Sequence, residues 1–281
     1  MLPIMTLPAS LPPLAKIFAA TYDPATGGYT VPPREMTRPF TPDDVARWKV
    51  EYADKVQYDS VELEVAMFLY SVVRMTGART ILETGCSRGF STSFLAAGAA
   101  DNGGADVTSI DIERLFHLWE GSALEPSINF IAKSSVNIME PLVPPQKQFD
   151  LLFLDSLHTY AHLMQEIMIF EKSLKVGGAI LLHDTMFYDC LGPVALELTK
   201  NPRYEIVNLP SPRTHGRNTR CPGVTLAVKI SDDWERYPLS FSQEFMHWIT
   251  VNITHGRYEG RQWTDSSMLD LLRREHLFGK E

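Results

Sequence analysis

Two apolar runs, Leu151–Asp155 and Ala179–His183, each end in residues able to do chemistry. If the runs are neighbouring parallel strands, their ends lie about 5 Å apart, and Asp155, His183 and Asp184 converge there. Two carboxylates and an imidazole suit a divalent cation. Such a cation would hold a substrate hydroxyl, lower its pKa and set it in line for attack. The plainer alternative is that His183 and Asp184 only end the strand and hydrogen-bond locally. His158, three residues after Asp155, is a candidate general base or a partner to the ligands. His158, His162 and Glu166 share one helical face at i, i+4, i+8 spacing. One metal cannot comfortably reach all three, so zinc held by the HxxxH pair is set aside. His162 and Glu166 then read as a surface or helix-packing pair.

A second constellation lies upstream. The run Thr80–Thr84 leads into Glu83-Thr84-Gly85-Cys86-Ser87-Arg88-Gly89-Phe90-Ser91. A glycine-bearing turn between strand and helix lets a ligand approach the backbone and the free N–H groups of the helix. The spacing is G-x-x-x-G, neither the G-x-G-x-x-G of a dinucleotide site nor the G-K-[ST] of a phosphate loop. An acid two places before the first glycine disfavours a pyrophosphate. Glu83 suits instead a cation, or a hydrogen-bond network around an amino-acid moiety. The next run, Val107–Asp111, ends in a carboxylate placed to accept both protons of a ribose diol. Taken together, turn and carboxylate point to a nucleoside with an amino-acid end and no pyrophosphate, namely S-adenosylmethionine. Taken singly, the turn is an ordinary strand–helix connection and Asp111 a helix cap. Cys86 reads as a small buried filler rather than a nucleophile.

The elements that must position these groups follow from the rhythm of the chain. From residue 80, short apolar runs (80–84, 107–111, 128–132, 151–155, 179–183) alternate with helical candidates at 91–100, 112–121, 135–140, 159–174 and 190–200. That alternation implies a parallel sheet covered on both faces. Two further strands, 204–209 and 223–229, are separated by SPRTHGRNTRCP, which lacks apolar periodicity, so they should pair antiparallel. A helix starting near Asp59-Ser60 precedes the sheet, with Glu62 three residues after Asp59 in capping-box fashion. Another should begin at Thr41-Pro42-Asp43-Asp44. The expected organisation is an N-terminal arm and helix over 1–58, an α/β domain over 59–230, and a C-terminal helical extension over 231–281, with helical pieces around 242–251 and 265–277. Arg213, His215, Arg217 and Arg220 make the 211–222 loop basic, suited to an acceptor's carboxylate or phosphate. Arg34, Arg38, Trp48 and Tyr58 lie where the arm could cover the site.

The segments ILETGCSRGFST, VTSIDIE, FDLLFLDSLHTY and LKVGGAILLHDT resemble the class I S-adenosylmethionine-dependent methyltransferases over roughly residues 60–230. The resemblance implies a Rossmann-like fold, a seven-stranded mainly parallel sheet with an antiparallel last strand and helices on both faces. It implies that Glu83, Gly85, Gly89 and Ser91 surround the methionine part of the donor, that Asp111 holds its ribose, and that the Ser134-Ser135 turn lies near its adenine. The phrases DSLHTYAHLMQE and GGAILLHDT are similar to the metal-dependent O-methyltransferases, most of all the branch of macrocin O-methyltransferase and the rhamnosyl O-methyltransferase/cephalosporin hydroxylase family. That likeness implies Asp155, His183 and Asp184 as ligands of magnesium or another divalent cation and a sugar or natural-product hydroxyl as acceptor; the catalytic candidates are then Asp155 and, from its own place beside the site, His158.

Composition limits the partners. The 281 residues carry 26 Lys+Arg against 34 Asp+Glu, a net charge of −8, with 44% hydrophobic and 21% charged residues. An acidic chain is a poor match for a nucleic-acid backbone, and this apolar content rules out general disorder. Three scattered cysteines without a CxxC pair give neither a disulfide framework nor a structural zinc site. The proline-interrupted start reads as an arm rather than a signal peptide, no run of 18 apolar residues occurs, and a cytoplasmic protein is expected. The terminal extensions could support a homo-oligomer. The competing readings are a methyltransferase that uses His158 as base without metal, a nicotinamide-dependent oxidoreductase, and a non-catalytic binding protein on the same sheet.

Overall fold

The computed structural model describes residues 21–23, 28–30, 61–115, 117–136, 142–188, 191–211, 222–243 and 245–247. Strands β1 (Thr21–Asp23) and β2 (Gly28–Thr30) form a separate antiparallel pair. The main unit then runs α1 (Leu63–Thr76), β3 (Thr80–Thr84), α2 (Phe90–Asp101), β4 (Asp106–Asp111), β5 (Ile128–Ala132), β6 (Phe149–Leu154), α3 (Tyr160–Phe170), β7 (Leu174–His183), α4 (Gly192–Lys200), β8 (Tyr204–Leu209) and β9 (Val224–Lys229).

The seven strands β3 to β9 make one sheet in the order β5-β4-β3-β6-β7-β9-β8. β3 to β7 are mutually parallel, while β9 pairs antiparallel with both β7 and β8. This is the expected sheet with its antiparallel last strand. The chain winds outward from β3 in one direction and from β6 in the other. Their carboxyl ends therefore flank the crevice where open α/β sheets take ligands.

Side-chain alternation divides the core into two layers. Ile81, Leu151, Phe153 and Leu181 pack with α1 and α2 on one face. Leu82, Leu152, Leu154, Ile180 and Leu182 pack with α3 and α4 on the other. All residues of α2 from Phe90 to Ala99 are buried, because α1 covers the side of it turned from the sheet. Gly98 makes that close approach possible, since a Cβ there would meet Val73 Cγ1 at 2.9 Å. Leu239, Phe241 and Phe245 join the second layer.

The departures from the expected elements have local causes. β7 begins at Leu174 rather than 179, its Lys175, Val176 and Gly177 being exposed and so lacking an apolar signature. Among the described residues of 112–121 no helix forms, and bends and turns lead into a short 3-10 segment at Glu125–Ser127. The Leu118 N–H donates to the Arg88 carbonyl at 2.9 Å, and the Trp119 and His117 rings stack at 4.1 Å, tying the segment to the loop after β3. Residues 135 and 136 form a turn, and 137–140 lie outside the described residues. So do the expected helices at 41–44 and 265–277, the basic loop residues Arg213 to Arg220, and Arg34, Arg38, Trp48 and Tyr58. Among the described residues, no helix is long and apolar enough to cross a membrane.

Candidate active site

A cavity of about 640 Å³ opens at the carboxyl ends of β3, β4, β5, β6 and β7. Gly85, Cys86, Ser87, Ser91, Asp111, Ser134 and Ser135 line one part of it, and Glu62, Asp155, His158, His183, Asp184 and Tyr188 line another.

The first part is shaped by glycine. Gly85 (φ 76°) has its N–H on the Ile110 carbonyl at 2.9 Å, and a Cβ there would lie 2.1 Å from the Asp155 carbonyl oxygen. Only glycine lets the loop cross the tops of β4 and β6 at this distance. Gly89 (φ 78°) caps α2 and takes the Trp119 ring, which a Cβ would meet at 1.9 Å. Gly89 does not line the cavity; it shapes the turn from behind. Asp111 does line it. One carboxylate oxygen accepts the Ser87 N–H at 2.8 Å and the other the Glu113 N–H at 3.2 Å. That fixes the carboxylate while leaving lone pairs for a ligand's hydroxyls.

Glu83, expected beside the methionine part of a donor, is fully buried beneath the loop and absent from the cavity wall. It accepts hydrogen bonds from Ser91 (2.5 Å), Ser109 (2.9 Å) and Thr92. Its carboxylate is a fastener between β3, α2 and β4. Burial pushes its pKa up to about 7, against the pull of those three hydroxyls. Cys86 is the buried filler expected; burial and then the Glu83 charge push its thiol well up, away from thiolate chemistry.

The second part gathers three carboxylates and two imidazoles. His158 Nε2 lies 3.2 Å from Asp155 Oδ1 and 3.5 Å from Asp184 Oδ2, and its ring stacks on Tyr188 at 4.5 Å. Asp155, His158 and Asp184 each offer one ligand atom within 4.8 Å of the others. His183, expected as the third ligand, is turned differently. Its Nδ1 faces Asp155 Oδ1 at 3.2 Å and its Nε2 faces Glu62 Oε2 at 3.2 Å, so both ring nitrogens are engaged and His158 takes the place beside the aspartates.

The electrostatics follow from that arrangement. Burial disfavours charge on His183, but Asp155 and Glu62 outweigh it and raise its pKa well above the ordinary value. Burial likewise opposes charge on Asp155, yet His183 and His158 hold its carboxyl down. For Asp184, burial and the neighbouring Asp155 win, and its pKa is raised. His158 is raised by Asp155 against the effect of burial. Asp184 also sits at φ 57°, and among the described residues its buried Oδ1 has no hydrogen-bond partner.

Sequence reasoning missed Glu62 and left the place of two others open. Glu62 is buried at the start of α1, but its side chain makes no cap bond and turns to His183 instead. The signal, an acid ahead of an apolar helix, is the same for either use. His162 lines the cavity and Glu166 is fully buried on the same helix, so of the two expected places, surface or helix packing, the pair takes the second.

Comparison with known proteins agrees with this architecture. A family model described as a methyltransferase domain matches residues 82–185, the stretch that holds the glycine turn, Asp111, Asp155, His158, His183 and Asp184. The chain is 26% identical over 138 residues to tapetum-specific methyltransferase 1 of Arabidopsis thaliana, covering 47% of this chain and 57% of that protein. It is 29% identical over 147 residues to a caffeoyl-CoA O-methyltransferase of Populus kitakamiensis, covering 50% and 59%. The match thus spans less than two thirds of these curated relatives. Among solved structures, the O-methyltransferase TomG of Streptomyces achromogenes in complex with SAM superposes with a TM-score of 0.56 at 15% identity, over 69% of this chain and 92% of that one. An O-methyltransferase of Bacillus cereus with SAH gives 0.52 at 19% identity, over 68% and 92%. The fold is that of the Rossmann-like class I methyltransferases, and residues 82–185 carry the domain's sequence signature.

Proposed function

We propose that the chain is an S-adenosylmethionine-dependent O-methyltransferase acting on a hydroxyl of a small molecule, a sugar or natural-product intermediate, with a divalent cation at the acceptor end. The observation that carries this reading is a single cavity joining two halves. Gly85, Ser87 and Asp111 lie in one, and Asp155, His158 and Asp184 in the other. In-line transfer needs a donor and an acceptor side by side, and the cavity offers a seat for each. The relatives support the donor chemistry: one is named a caffeoyl-CoA O-methyltransferase, and TomG is described with SAM and as acting in tomaymycin synthesis.

The roles divide by half. Asp111 would hold the ribose, Gly85 and Ser91 the methionine part, and Ser134 and Ser135 the base. The other half fits a divalent cation on its own evidence. Three carboxylates outnumber two imidazoles even if both are protonated, and Asp184 Oδ1 is buried without a partner among the described residues. Asp155, His158 and Asp184 would hold the cation, which when bound acts as a Lewis acid on the acceptor hydroxyl. Glu62 and His183 support the set from behind: His183 carries hydrogen bonds to Asp155 and Glu62 and keeps Asp155 turned to the cavity. Ser242 anchors the chain after β9 near the acceptor half, its N–H donating to the Tyr160 hydroxyl at 2.8 Å, two residues from His158. The terminal extensions would complete the acceptor pocket and offer the surface for a homo-oligomer. The net charge of −8 supports a small acceptor rather than a nucleic acid.

A second reading rests on the same His158. Its 3.2 Å contact with Asp155 would also orient a general base that takes the acceptor's proton without metal. Nε2 cannot serve both ways at once, so chelation separates them. The test uses a donor labelled in its methyl group and a panel of glycosides and phenols, with magnesium or with EDTA, on wild type and Asp155→Ala. The expected result is labelled methyl ether formed with magnesium, lost on chelation, and reduced by about 100-fold or more in the variant. Activity that survives EDTA selects the base reading. No labelled product from any hydroxyl contradicts both.

A further inference from the structure

The two imidazoles of the acceptor half have different duties. His183 is buried, with Nδ1 3.2 Å from Asp155 Oδ1 and Nε2 3.2 Å from Glu62 Oε2. It spends both nitrogens on carboxylates. His158 is partly exposed at the cavity wall, and its ring lies parallel to that of Tyr188, with centroids 4.5 Å apart and an interplanar angle of 11°. In that pose its Nε2 lies 3.2 Å from Asp155 Oδ1 and 3.5 Å from Asp184 Oδ2. One nitrogen and two carboxylate oxygens therefore meet, all within 4.8 Å of one another.

Such a set is a poor match for magnesium. Magnesium is a hard ion that takes oxygen ligands, parts with water reluctantly and gains little from an imidazole. Iron(II), cobalt(II) and zinc accept imidazole nitrogen readily, and tolerate carboxylates beside it. The third carboxylate of this half, Glu62, would tilt the set back towards oxygen. Its Oε2 is turned to His183 instead, so it stands behind the ligands and not among them.

We infer that this seat takes a nitrogen-accepting transition ion, of the class of iron(II), cobalt(II) or zinc, in preference to magnesium, and that His158 sets the preference. His183 and Tyr188 are positioning residues here: one holds Asp155, the other fixes the plane of the His158 ring. The inference rests on the cation reading proposed above and adds to it the chemical class of the ion. Magnesium in excess still fills the seat, so methyl transfer supported by magnesium is compatible with this preference.

Calorimetric titration of the full chain with cobalt(II) and, separately, with magnesium tests it on wild type, His158→Gln and His183→Gln. Some preference for cobalt is common to mixed nitrogen and oxygen sites, so the deciding quantity is how the ratio of the two affinities changes. Wild type should bind cobalt at least about 100-fold more tightly than magnesium, and His158→Gln should lower that ratio by about tenfold or more. His183→Gln should weaken both ions together and keep the ratio within about threefold, because His183 holds a ligand and offers the ion no nitrogen. Pulsed EPR of the chain loaded with manganese(II) gives a second readout, coupling to a directly bound nitrogen, expected in wild type and His183→Gln and absent from His158→Gln. Thermal unfolding of each variant confirms that it is folded. A ratio unchanged in His158→Gln, or one that collapses in His183→Gln, overturns this inference while the cation reading stands. Wild type that binds the two ions equally, or shows no nitrogen coupling, does the same. Binding of neither ion by wild type overturns the cation reading and this inference with it.

Discussion

Glu83 illustrates how a residue legible as important can have its role misread. An acid before a glycine turn suggests contact with the ligand, but the side chain goes down, not up, and finds Ser91, Thr92 and Ser109. The linear sequence places it at the right strand end but cannot say that three hydroxyls from α2 and β4 will close over it. Burial raises its pKa from 4.5 to about 7. Below 4.5 both folded and unfolded forms are protonated; between 4.5 and about 7 the unfolded chain loses its proton first, so ionisation favours unfolding. The stability attributable to this group should fall by about 3 kcal/mol across that window. Glu83→Gln, followed by thermal unfolding against pH, should have a flatter profile than wild type there. An identical profile would contradict the assignment. Asp111, Asp155 and Asp184 were legible as candidates, and all three line the cavity, because each lies at or just after the end of a buried run, where a carboxylate has few structural uses. Glu62 was not, since its partner His183 is brought to it only by the packing of α1 across the sheet.

At the scale of elements, the strands were readable because the sheet is buried on both faces and each strand is a short apolar run. The antiparallel pairing of β8 and β9 was readable from a connection lacking a helix. The segment 112–121 was not, although it carries apolar residues at helical spacing. Ile112 is 72% exposed, while His117, Leu118 and Trp119 are buried in turns, so packing against the glycine loop overrides helix propensity. Trp119 fills the place that a Gly89 side chain would occupy. Gly89→Ala should therefore cost about 2–4 kcal/mol in denaturant unfolding, through a left-handed non-glycine residue and the clash with the ring. A loss below about 1 kcal/mol would contradict the close packing.

Across the whole molecule, the two ends of the sheet have separate tasks. At the end away from the cavity, buried Arg203 binds Glu171 at 2.6 Å and the Tyr237 carbonyl at 2.7 Å, Tyr204 donates to Glu171 at 2.7 Å, and buried Lys229 donates to the Glu171 and Leu174 carbonyls. This network ties the chain after β9 to the starts of β7 and β8. Arg203→Met leaves Glu171 buried without its cation and should destabilise the fold by about 3–5 kcal/mol, with donor affinity in the folded fraction unchanged. Unaltered stability to urea would show the network to be dispensable. At the cavity end, the proposed function depends on the donor seat. Calorimetric titration of wild type and Asp111→Asn with S-adenosylhomocysteine tests it most directly, because asparagine keeps an acceptor for the Ser87 N–H but weakens the grip on a ribose diol. Wild type should bind one molecule per chain, with affinity reduced about tenfold or more in the variant, a difference of about 1.4 kcal/mol. No binding by wild type, or equal affinity in both, would contradict it.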